Sequence, residues 1–432
     1  MKLTIIYHWL RFRLARKFKS RQSLENHQQK RLRAFFKNTL RHSPFYAPLV
    51  EGKKTLADFP VIGKAIFMEH FDRINTRGVQ KEQAMQLALQ AEESRDFAPR
   101  HGGLTIGLST GTSGKRGLFV VSEAERAQWV ALVMTRVIRP VLFRKQRIAF
   151  FLRANSNLYG SIRSSLFGFR YFDIFKPMDA LLTGLDAYQP GIVAAPPSVL
   201  LDIAARQEKG LLRIKPVQII SFAEVLHPED AAYLSTVFGL PVTEVYQCTE
   251  GFLGVSCAHG TVHLNEDFMV IEKNHIEGRR FHPVITDFTR TTQPIVRYEL
   301  DDILTERATP CPCGSVLTGL ERIEGRADDV LVFGGGQIRV YPDLISRMIA
   351  RRTDGFRSYR IVQTSRNRIL IEVDCEPSAF ESVSRQIRQG VEEALASKDI
   401  RDIPMRVRQG VTFVRGGKFR KITRCFDDEE PE

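Results

Sequence analysis

Residues 108–117, LSTGTSGKRG, contain the residue types that bind phosphate. Glycines let the backbone approach a ligand closely, hydroxyl groups and peptide N–H groups donate hydrogen bonds, and Lys115 supplies a positive charge. The pattern differs from the P-loop of NTPases, because Ser109 stands where that motif has glycine and Arg116 where it has Ser or Thr. The run LFVVS that follows also predicts a strand instead of the helix of a P-loop. The segment therefore predicts a phosphate-binding loop of another type, with a plain Gly/Ser turn as the alternative.

Cysteines and histidines in the second half of the chain have the types and spacing of zinc ligands. Cys311 and Cys313 form one closely spaced group, and Cys257 with His259 and His263 forms another about fifty residues earlier. Thiolates and imidazole suit Zn²⁺ in a tetrahedral site. We predict a structural zinc ion on Cys257, His263, Cys311 and Cys313, with His259 as a substitute ligand. Reduced, partly buried cysteines are the alternative.

Five short motifs occur in the order and spacing found in the adenylate-forming (acyl-activating) enzymes. They are STGTSGK (109–115), YQCTEG (246–251), RYELDD (297–302), GRADD (325–329) and GGK (416–418). From about residue 30 onward the chain resembles that superfamily, and within it the phenylacetate–CoA ligase branch with its relatives that adenylylate a deazaflavin coenzyme. RHSPFYAPL, AAPPSVL, SFAEVL, HLNEDF and CPCG support this branch. The resemblance implies an α/β fold, with a large multi-sheet N-terminal domain and a small mobile α+β C-terminal domain.

The same resemblance implies roles at the triphosphate of ATP. The loop at 109–115 would hold the β- and γ-phosphates, Thr249 would contact the α-phosphate, and Glu250 would bind Mg²⁺, which prefers hard oxygen ligands. Lys418 would neutralise the charge that develops at the α-phosphate. Taken singly, Glu250 could be an ordinary surface carboxylate and Lys418 a solvated lysine of the basic run RGGKFRK.

Further roles follow from the resemblance at the ribose, the adenine and the hinge between domains. Asp302 would accept hydrogen bonds from the ribose hydroxyls, with Asp301 as a competitor, because Leu300-Asp301 replaces the family's Thr-Gly. Asp328 matches the hinge position. The nucleotide-binding set is Ser109, Thr110, Gly111, Thr112, Ser113, Gly114, Lys115, Ala223, Glu224, Tyr246, Asp302 and Arg326, and the catalytic set is Lys418, Glu250 and Thr249.

These motifs together predict an ATP- and Mg²⁺-dependent ligase. It would activate a carboxylic acid as an acyl-adenylate and pass the acyl group to the thiol of coenzyme A, and the branch resemblance implies an aromatic acid. A carrier-protein thiol and a phenolic hydroxyl that receives AMP are alternative acceptors. A non-catalytic nucleotide-binding scaffold is the alternative from another class of protein.

The helices and strands that must position these residues form two regions, which differ in the pattern of apolar residues along the sequence. Between residues 100 and 300 apolar runs alternate with helical stretches, typical of an α/β body whose later strands form a smaller antiparallel lobe. The last hundred residues predict strands at YRIVQ, ILIEVDC and VTFVR, and a helix at SAFESVSRQIRQGVEEALAS that begins at a Ser cap. We therefore predict a helix at 1–22, a large domain at 23–327, and a small domain at 328–432 that ends in an acidic tail.

The basic charge of the chain is concentrated at its N-terminus. The 432 residues carry a formal charge of +14, and residues 1–50 contain twelve Lys and Arg but one acidic residue. Leu3, Ile6, Leu10, Leu14 and Phe18 recur at helical spacing. We expect this stripe to pack on the rest of the protein, with peripheral contact to an anionic membrane surface as the alternative.

Composition excludes several classes of protein. Outside residues 1–50 the chain is nearly neutral and contains no nucleic-acid recognition motif, so we expect no nucleic-acid partner. Apolar runs fall short of the roughly 20 residues of a membrane-spanning helix, and the N-terminus lacks the pattern of a secretory signal. Six cysteines are too few for a disulfide scaffold. We expect a cytoplasmic protein, with membrane association through the N-terminal arm as the open alternative.

Overall fold

The computed structural model describes residues 2–14, 18–52, 55–94, 96, 102–108, 117–138, 146–152, 167–353, 355–412 and 419–426. The chain divides into two compact units. The large unit comprises Met1–Leu300 and Thr305–Arg322, and the small unit comprises Asp301–Leu304 and Ile323–Glu432. The predicted fold class, an α/β protein with a large sheet and a smaller C-terminal part, is confirmed.

The helices and strands are numbered along the described residues. The helices are α1 Lys2–Leu14, α2 Arg21–Asn38, α3 Ala47–Val50, α4 Lys64–Glu69, α5 Phe71–Ile74, α6 Lys81–Ser94, α7 Glu123–Arg136, α8 Met178–Tyr188, α9 Pro197–Glu208, α10 Pro228–Phe238, α11 Pro342–Ala350 and α12 Phe380–Ala396. The strands are β1 Thr105–Leu108, β2 Leu118–Val121, β3 Gln146–Leu152, β4 Phe167–Asp173, β5 Ile192–Ala195, β6 Gln218–Phe222, β7 Val242–Gln247, β8 Phe252–Ser256, β9 Val262–Leu264, β10 Met269–Glu277, β11 Arg280–Asp287, β12 Ile295–Glu299, β13 Asp302–Glu306, β14 Gly319–Arg326, β15 Leu331–Phe333, β16 Ile338–Val340, β17 Ser358–Ser365, β18 Arg368–Asp374, β19 Met405–Gln409 and β20 Ile422–Arg424.

Most strands of a 12-stranded sheet belong to the large unit. The order of this sheet is β10-β11-β13-β14-β9-β8-β7-β6-β5-β3-β4, with β12 paired to β11. Strands β4, β3, β5, β6 and β7 are parallel, and β8 and β9 continue antiparallel. The later strands β10 to β12 are antiparallel, as expected, but they extend this sheet instead of forming a separate lobe.

Helices cover the parallel part of the sheet on its faces, which explains its apolar sequence. All four residues of β5 are buried, as expected for a strand packed on both sides. Leu185 of α8 and Leu200 of α9 share one core with Phe151, whereas Val130 of α7 packs with Ile148 in another.

The small unit has its own core between a four-stranded sheet and two helices. The sheet order is β19-β18-β17-β20, and Ile345 of α11 and Ile387 of α12 pack on it. The strands predicted at YRIVQ and ILIEVDC are confirmed as β17 and β18. The strand predicted at VTFVR is wrong for Val411 and Thr412, which belong to no strand, and its other residues lie outside the described ranges; residues 405–409 pair with β18 instead. The predicted Ser cap of α12 is also wrong, because a 3₁₀ turn at Pro377–Ala379 precedes the helix and no side chain caps it.

Helix α1 packs on the large unit, but through a different face from the one that the sequence pattern predicted. Ile5 and Phe12 contact the core beneath α7, and the ring of Phe12 lies edge-on to Phe268 at 5.1 Å. The expectation that the stripe packs on the protein is wrong for Leu3, Ile6, Leu10 and Leu14, because all four side chains are exposed. The fifth member, Phe18, is half-buried, and its ring lies 5.2 Å from that of His27. Among the described residues, no helix is both long enough and apolar enough to cross a membrane.

Candidate functional site

The predicted phosphate loop connects two paired strands of the large unit. Strands β1 and β2 are antiparallel, with Leu108 opposite Leu118 at the end nearest the loop. Gln293 fixes β2, because its side chain accepts a hydrogen bond from the Val120 N–H at 3.0 Å and donates one to the Leu118 carbonyl at 3.3 Å. The predicted ligands Ser109, Thr110, Gly111, Thr112, Ser113, Gly114 and Lys115 lie outside the described residues. The structure thus fixes the two ends of the loop.

The predicted magnesium ligand lies in the tight turn between β7 and β8. The Cys248 N–H donates to the Gly251 carbonyl at 3.0 Å, which closes the turn around Thr249 and Glu250. The hydroxyl of Tyr298 donates to Glu250 Oε1 at 3.1 Å. Tyr298 is buried in β12, so a rigid side chain orients the carboxylate. Sequence reasoning missed Tyr298, although it belongs to the RYELDD motif.

A small, partly open cavity joins these two features in the large unit. Gly117, at the end of the phosphate loop, lines it together with Thr249 and Glu250. Its other lining residues are Lys64, Phe67, Met68, Leu118, Phe119, Arg290, Gln293, Ile295 and Tyr298. Gly117 and the Thr249–Glu250 turn, which are far apart in the sequence, therefore border one space, and Arg290 borders it with a positive charge.

Two acidic residues, Glu125 and Asp287, lie close to the charge of Arg290. The sequence analysis missed this cluster. Glu125 accepts hydrogen bonds from the N–H groups of Thr291 at 2.6 Å and Thr292 at 2.8 Å. Burial alone would raise the pKa of Glu125, but the Arg290 charge and hydrogen bonds from Thr292 and Ser122 together hold it below its ordinary value. Burial raises the pKa of Asp287, against opposing hydrogen bonds from Thr289 and the charge of Arg290. The only sequence signal here was the strand pattern of HPVITDF.

The residues predicted to line the adenine pocket lie at or just after the carboxyl ends of parallel strands, the edge at which α/β sheets bind ligands. Ala223 follows β6 with φ of 71°, a left-handed conformation that is strained for alanine and often marks functional sites. Glu224 Oε2 accepts a hydrogen bond from the Ser198 N–H at 3.1 Å, at the start of α9. Tyr246 is buried in β7. Their contact with adenine remains a prediction.

Asp301, Asp302 and Arg326 form a charge cluster within the small unit. Arg326 Nη2 lies 3.4 Å from Asp301 Oδ2, and its Nε lies 3.7 Å from Asp302 Oδ1. The side chain of Asp302 is 19% exposed and that of Asp301 55% exposed. Of the two competing carboxylates, Asp302 is therefore the one more shielded from water.

The predicted hinge is a 3₁₀ turn, Ala327–Asp329. Asp329 accepts from the Arg326 N–H at 2.8 Å and from Arg420 Nη1 at 2.8 Å, so its buried carboxylate ties this turn to the segment after the GGK motif. The side chain of Asp328 and the whole of Lys418 lie outside the described residues.

The four predicted zinc ligands come together within the large unit. Their ligand atoms all lie within 4.8 Å of one another. Cys257 Sγ and Cys311 Sγ are 3.7 Å apart, close to the roughly 3.8 Å that two sulfurs about 2.3 Å from a tetrahedral Zn²⁺ would have. Cys313 Sγ lies 3.2 Å from His263 Nε2. His263 Nδ1 lies 3.1 Å from the Leu317 carbonyl, the backbone contact that orients metal-binding imidazoles.

Comparisons with known proteins agree with this architecture. Neither the protein-family models nor the curated proteins match the chain. Among solved structures, 2-hydroxyisobutyryl-CoA ligase in complex with 2-HIB-AMP is similar with a TM-score of 0.67 and 17% identity, over 94% of this chain and 89% of that one. An anthranilate CoA ligase in complex with anthranoyl-AMP gives 0.54 and 13%, over 73% and 66%. A benzoate CoA ligase from Burkholderia xenovorans LB400 gives 0.52 and 14%, over 75% and 68%.

These similarities define the class of fold. The chain has the fold of the AMP-forming acid–CoA ligases, and the fold that its five motifs predict is confirmed.

Proposed function

We propose that this chain activates a carboxylic acid with ATP and transfers the acyl group to coenzyme A. A carboxylate oxygen attacks the α-phosphorus and pyrophosphate leaves; the thiolate of coenzyme A then attacks the acyl carbon and AMP leaves. The observation that carries this proposal is the cavity bordered by Gly117, at the end of the phosphate loop, and by Thr249 and Glu250.

The residues around this cavity supply what an in-line displacement needs, which is positioning and charge neutralisation. The 109–115 loop would hold the β- and γ-phosphates, and Glu250, oriented by Tyr298, would hold Mg²⁺ against them. Arg290 adds a fixed positive charge at the cavity. Carboxylate oxygens fit Mg²⁺ well.

The nucleoside part of ATP would contact other predicted residues. Asp302 would bind the ribose, while Ala223, Glu224 and Tyr246 would border the adenine.

The acid in this proposal is aromatic, following the resemblance to the phenylacetate–CoA ligase branch. Relatives in fold include a ligase in complex with anthranoyl-AMP and another in complex with 2-HIB-AMP, an aliphatic acyl group. A coenzyme A acceptor agrees with the ligase neighbours, one of which is in complex with coenzyme A. A panel of aryl and aliphatic acids, with and without coenzyme A, separates these choices.

Exchange of labelled pyrophosphate into ATP tests the first step. An aryl acid should support exchange by the full chain, and Glu250→Gln should reduce it at least 100-fold, because losing a charged ligand of the transition state costs about 3 kcal/mol. Glu277→Gln is the matched control, since Glu277 is an exposed carboxylate of the same unit.

The outcomes discriminate between an enzyme and a scaffold. Acid-dependent exchange that Glu277→Gln retains and Glu250→Gln loses supports the proposal. ATP binding without exchange for any acid of the panel would identify a nucleotide-binding scaffold. Exchange unaffected by Glu250→Gln would remove Glu250 from the proposed site.

We also propose that Cys257, His263, Cys311 and Cys313 hold a structural Zn²⁺. The four donor atoms lie within 4.8 Å of one another, and four such ligands would complete a closed tetrahedral site with no position left for a reacting ligand. Such a site stabilises the loops that carry its ligands.

Metal analysis of the purified chain tests this site. We expect about one equivalent of zinc in the native protein, background levels in Cys311→Ser, and retention in Cys425→Ser, which replaces an exposed cysteine of the small unit. Removing zinc by chelation should lower the unfolding temperature of the native chain but not that of Cys311→Ser. Native protein free of bound metal after supplementation with zinc would contradict the site.

A further inference from the structure

Helix α1 carries an apolar face that no described part of the protein covers. The exposed apolar face of α1 comprises the five side chains of residues 3, 6, 7, 10 and 14. At about 100° per residue they lie within an arc of about 100° on one side of the helix. Their exposed fractions are 82% for Leu3, 52% for Ile6, 62% for Tyr7, 46% for Leu10 and 78% for Leu14. A cluster of exposed apolar side chains of this kind marks an interaction surface.

The opposite side of the helix is already engaged. Ile5 and Phe12 pack on the core of the large unit, and α1 runs against α7. The helix is therefore fixed in place with its second apolar face directed to the solvent. A helix that packs on its own protein through one face and exposes an apolar opposite face can bind a flat external surface, with its axis parallel to that surface.

The charges beside this face indicate what the surface is. Arg11 and Arg13 are exposed and flank the apolar arc, one on each side, by helix geometry. The first fifty residues as a whole contain twelve basic residues and one acidic residue. An apolar stripe bordered by arginines is the pattern of interfacial helices that bind anionic membranes. A second copy of the same face would bring these like charges together, which disfavours self-association.

We propose that the exposed apolar face of α1 binds the surface of an anionic lipid bilayer. The leucine and isoleucine side chains enter the boundary between headgroups and acyl chains, while Arg11 and Arg13 contact lipid phosphates. Helix α1 then holds the large unit at the membrane surface. This inference concerns a surface outside the nucleotide cavity and holds independently of the proposed ligase activity.

Co-sedimentation of the full chain with lipid vesicles tests the proposal. We expect binding to vesicles of phosphatidylcholine and phosphatidylglycerol at 3:1, and weaker binding to phosphatidylcholine alone. The double variant Ile6→Glu/Leu10→Glu should bind the anionic vesicles at least tenfold more weakly, because it places charges in the apolar face. Leu211→Glu, at a leucine that is 68% exposed elsewhere on the large unit, should bind like the native chain.

A second variant separates the apolar contribution from the electrostatic one. Arg11→Gln/Arg13→Gln leaves the apolar face intact and should reduce binding to anionic vesicles by about fivefold for each arginine, with little effect on neutral vesicles. Unfolding temperatures of all variants equal to that of the native chain establish that they are folded.

Three results would overturn the proposal. One is equal binding of the native chain and Ile6→Glu/Leu10→Glu to anionic vesicles. Another is absence of native binding to either type of vesicle. The third is a native dimer that the double variant dissociates while vesicle binding is absent, which would assign the face to a second copy of the chain.

Discussion

At the scale of single residues, the candidate site depends on how the Glu250 carboxylate is held. Its hydrogen bond from Tyr298, at 3.1 Å, comes from a buried side chain whose ring lies edge-on to Phe67 at 5.2 Å. A group held in this way loses little conformational freedom when it binds a cation. Tyr298 is therefore a positioning residue for the proposed magnesium ligand.

Tyr298→Phe should weaken adenylation through magnesium. Loss of a hydrogen bond to a charged group corresponds to about 1.5 kcal/mol, or about tenfold. We expect the Mg²⁺ concentration that half-saturates pyrophosphate exchange to rise by about that factor, as measured by a magnesium titration at fixed ATP.

Tyr359→Phe provides the matched control for that measurement. The Tyr359 hydroxyl is also buried and donates to Ser346 Oγ at 3.0 Å in the small unit. Its loss should lower the unfolding temperature and leave the magnesium titration unchanged. A Tyr298→Phe protein that is destabilised but has the native magnesium dependence would show that the hydroxyl is merely structural.

Sequence reasoning reached some of these residues and missed others for a physical reason. Glu250 could be predicted from the sequence, because it forms a local motif with its neighbours Thr249 and Gly251. Tyr298 was not assigned a role, because its partner is 48 residues away and no local pattern encodes that contact. Glu125 and Asp287 were missed likewise: their partners are brought to them by the packing of the sheet.

At the scale of elements, one carboxylate ties a helix to the loop that carries Arg290. Ser122 begins α7 with a capping box in which the Ser122 N–H donates to Glu125 Oε2 at 2.7 Å. The other oxygen of Glu125 accepts from the backbone of Thr291 and Thr292. The Glu125 side chain thus accepts a hydrogen bond from the backbone at the N-terminus of α7 and also holds the loop beside the cavity in place.

Glu125→Gln should destabilise the large unit in a pH-dependent way. Because the pKa of Glu125 is lowered in the folded state, the ionised carboxylate stabilises the fold above the unfolded-state pKa of about 4.5. This stabilisation disappears as the pH falls through the lower folded-state pKa. We expect a loss of about 2 kcal/mol at pH 7, and a smaller difference from the native chain below pH about 4.5, measured by thermal unfolding.

Glu123→Gln is the control on the same turn of α7, since Glu123 lies at the exposed first position of the helix. It should cost less than about 0.5 kcal/mol, the usual effect of a surface substitution. A Glu125→Gln protein with native stability at pH 7, or with a deficit that grows on acidification, would contradict the proposed role of the carboxylate.

Two elements show where sequence patterns reach their limit. Helix α1 has apolar residues on two sides, so periodicity identified a helix but could not tell which side meets the protein. In the small unit β propensity favoured Val411 and Thr412, which belong to no strand, whereas residues 405–409 pair with β18. Which of two neighbouring segments joins a sheet depends on the available partner strand more than on propensity.

At the scale of the whole molecule, the nucleotide motifs are divided between the two units. The 109–115 loop, Thr249 and Glu250 belong to the large unit, and Asp302, Arg326 and Lys418 to the small unit. The order of the motifs alone predicted this fold, because the superfamily pattern extends over nearly the whole chain. The antiparallel strands β8, which follows the turn of Glu250, and β9, which contains the proposed zinc ligand His263, were not anticipated, because β8 contains a glycine and β9 has three residues.

Lys418→Ala tests whether the two steps of the proposed reaction use the small unit differently. If Lys418 neutralises charge at the α-phosphate only during adenylation, its loss should reduce pyrophosphate exchange by on the order of 100-fold, equivalent to about 3 kcal/mol. Thioester formation from a supplied acyl-adenylate involves no charge developing on a phosphorus under attack, so we expect it to remain close to native. Lys398→Ala, at another lysine of the small unit just after α12, should leave both steps unchanged. Equal losses in the two steps would mean that both steps use Lys418 in the same way. The reaction would then need no rearrangement of the small domain between the steps, which would contradict the hinge role predicted for Asp328.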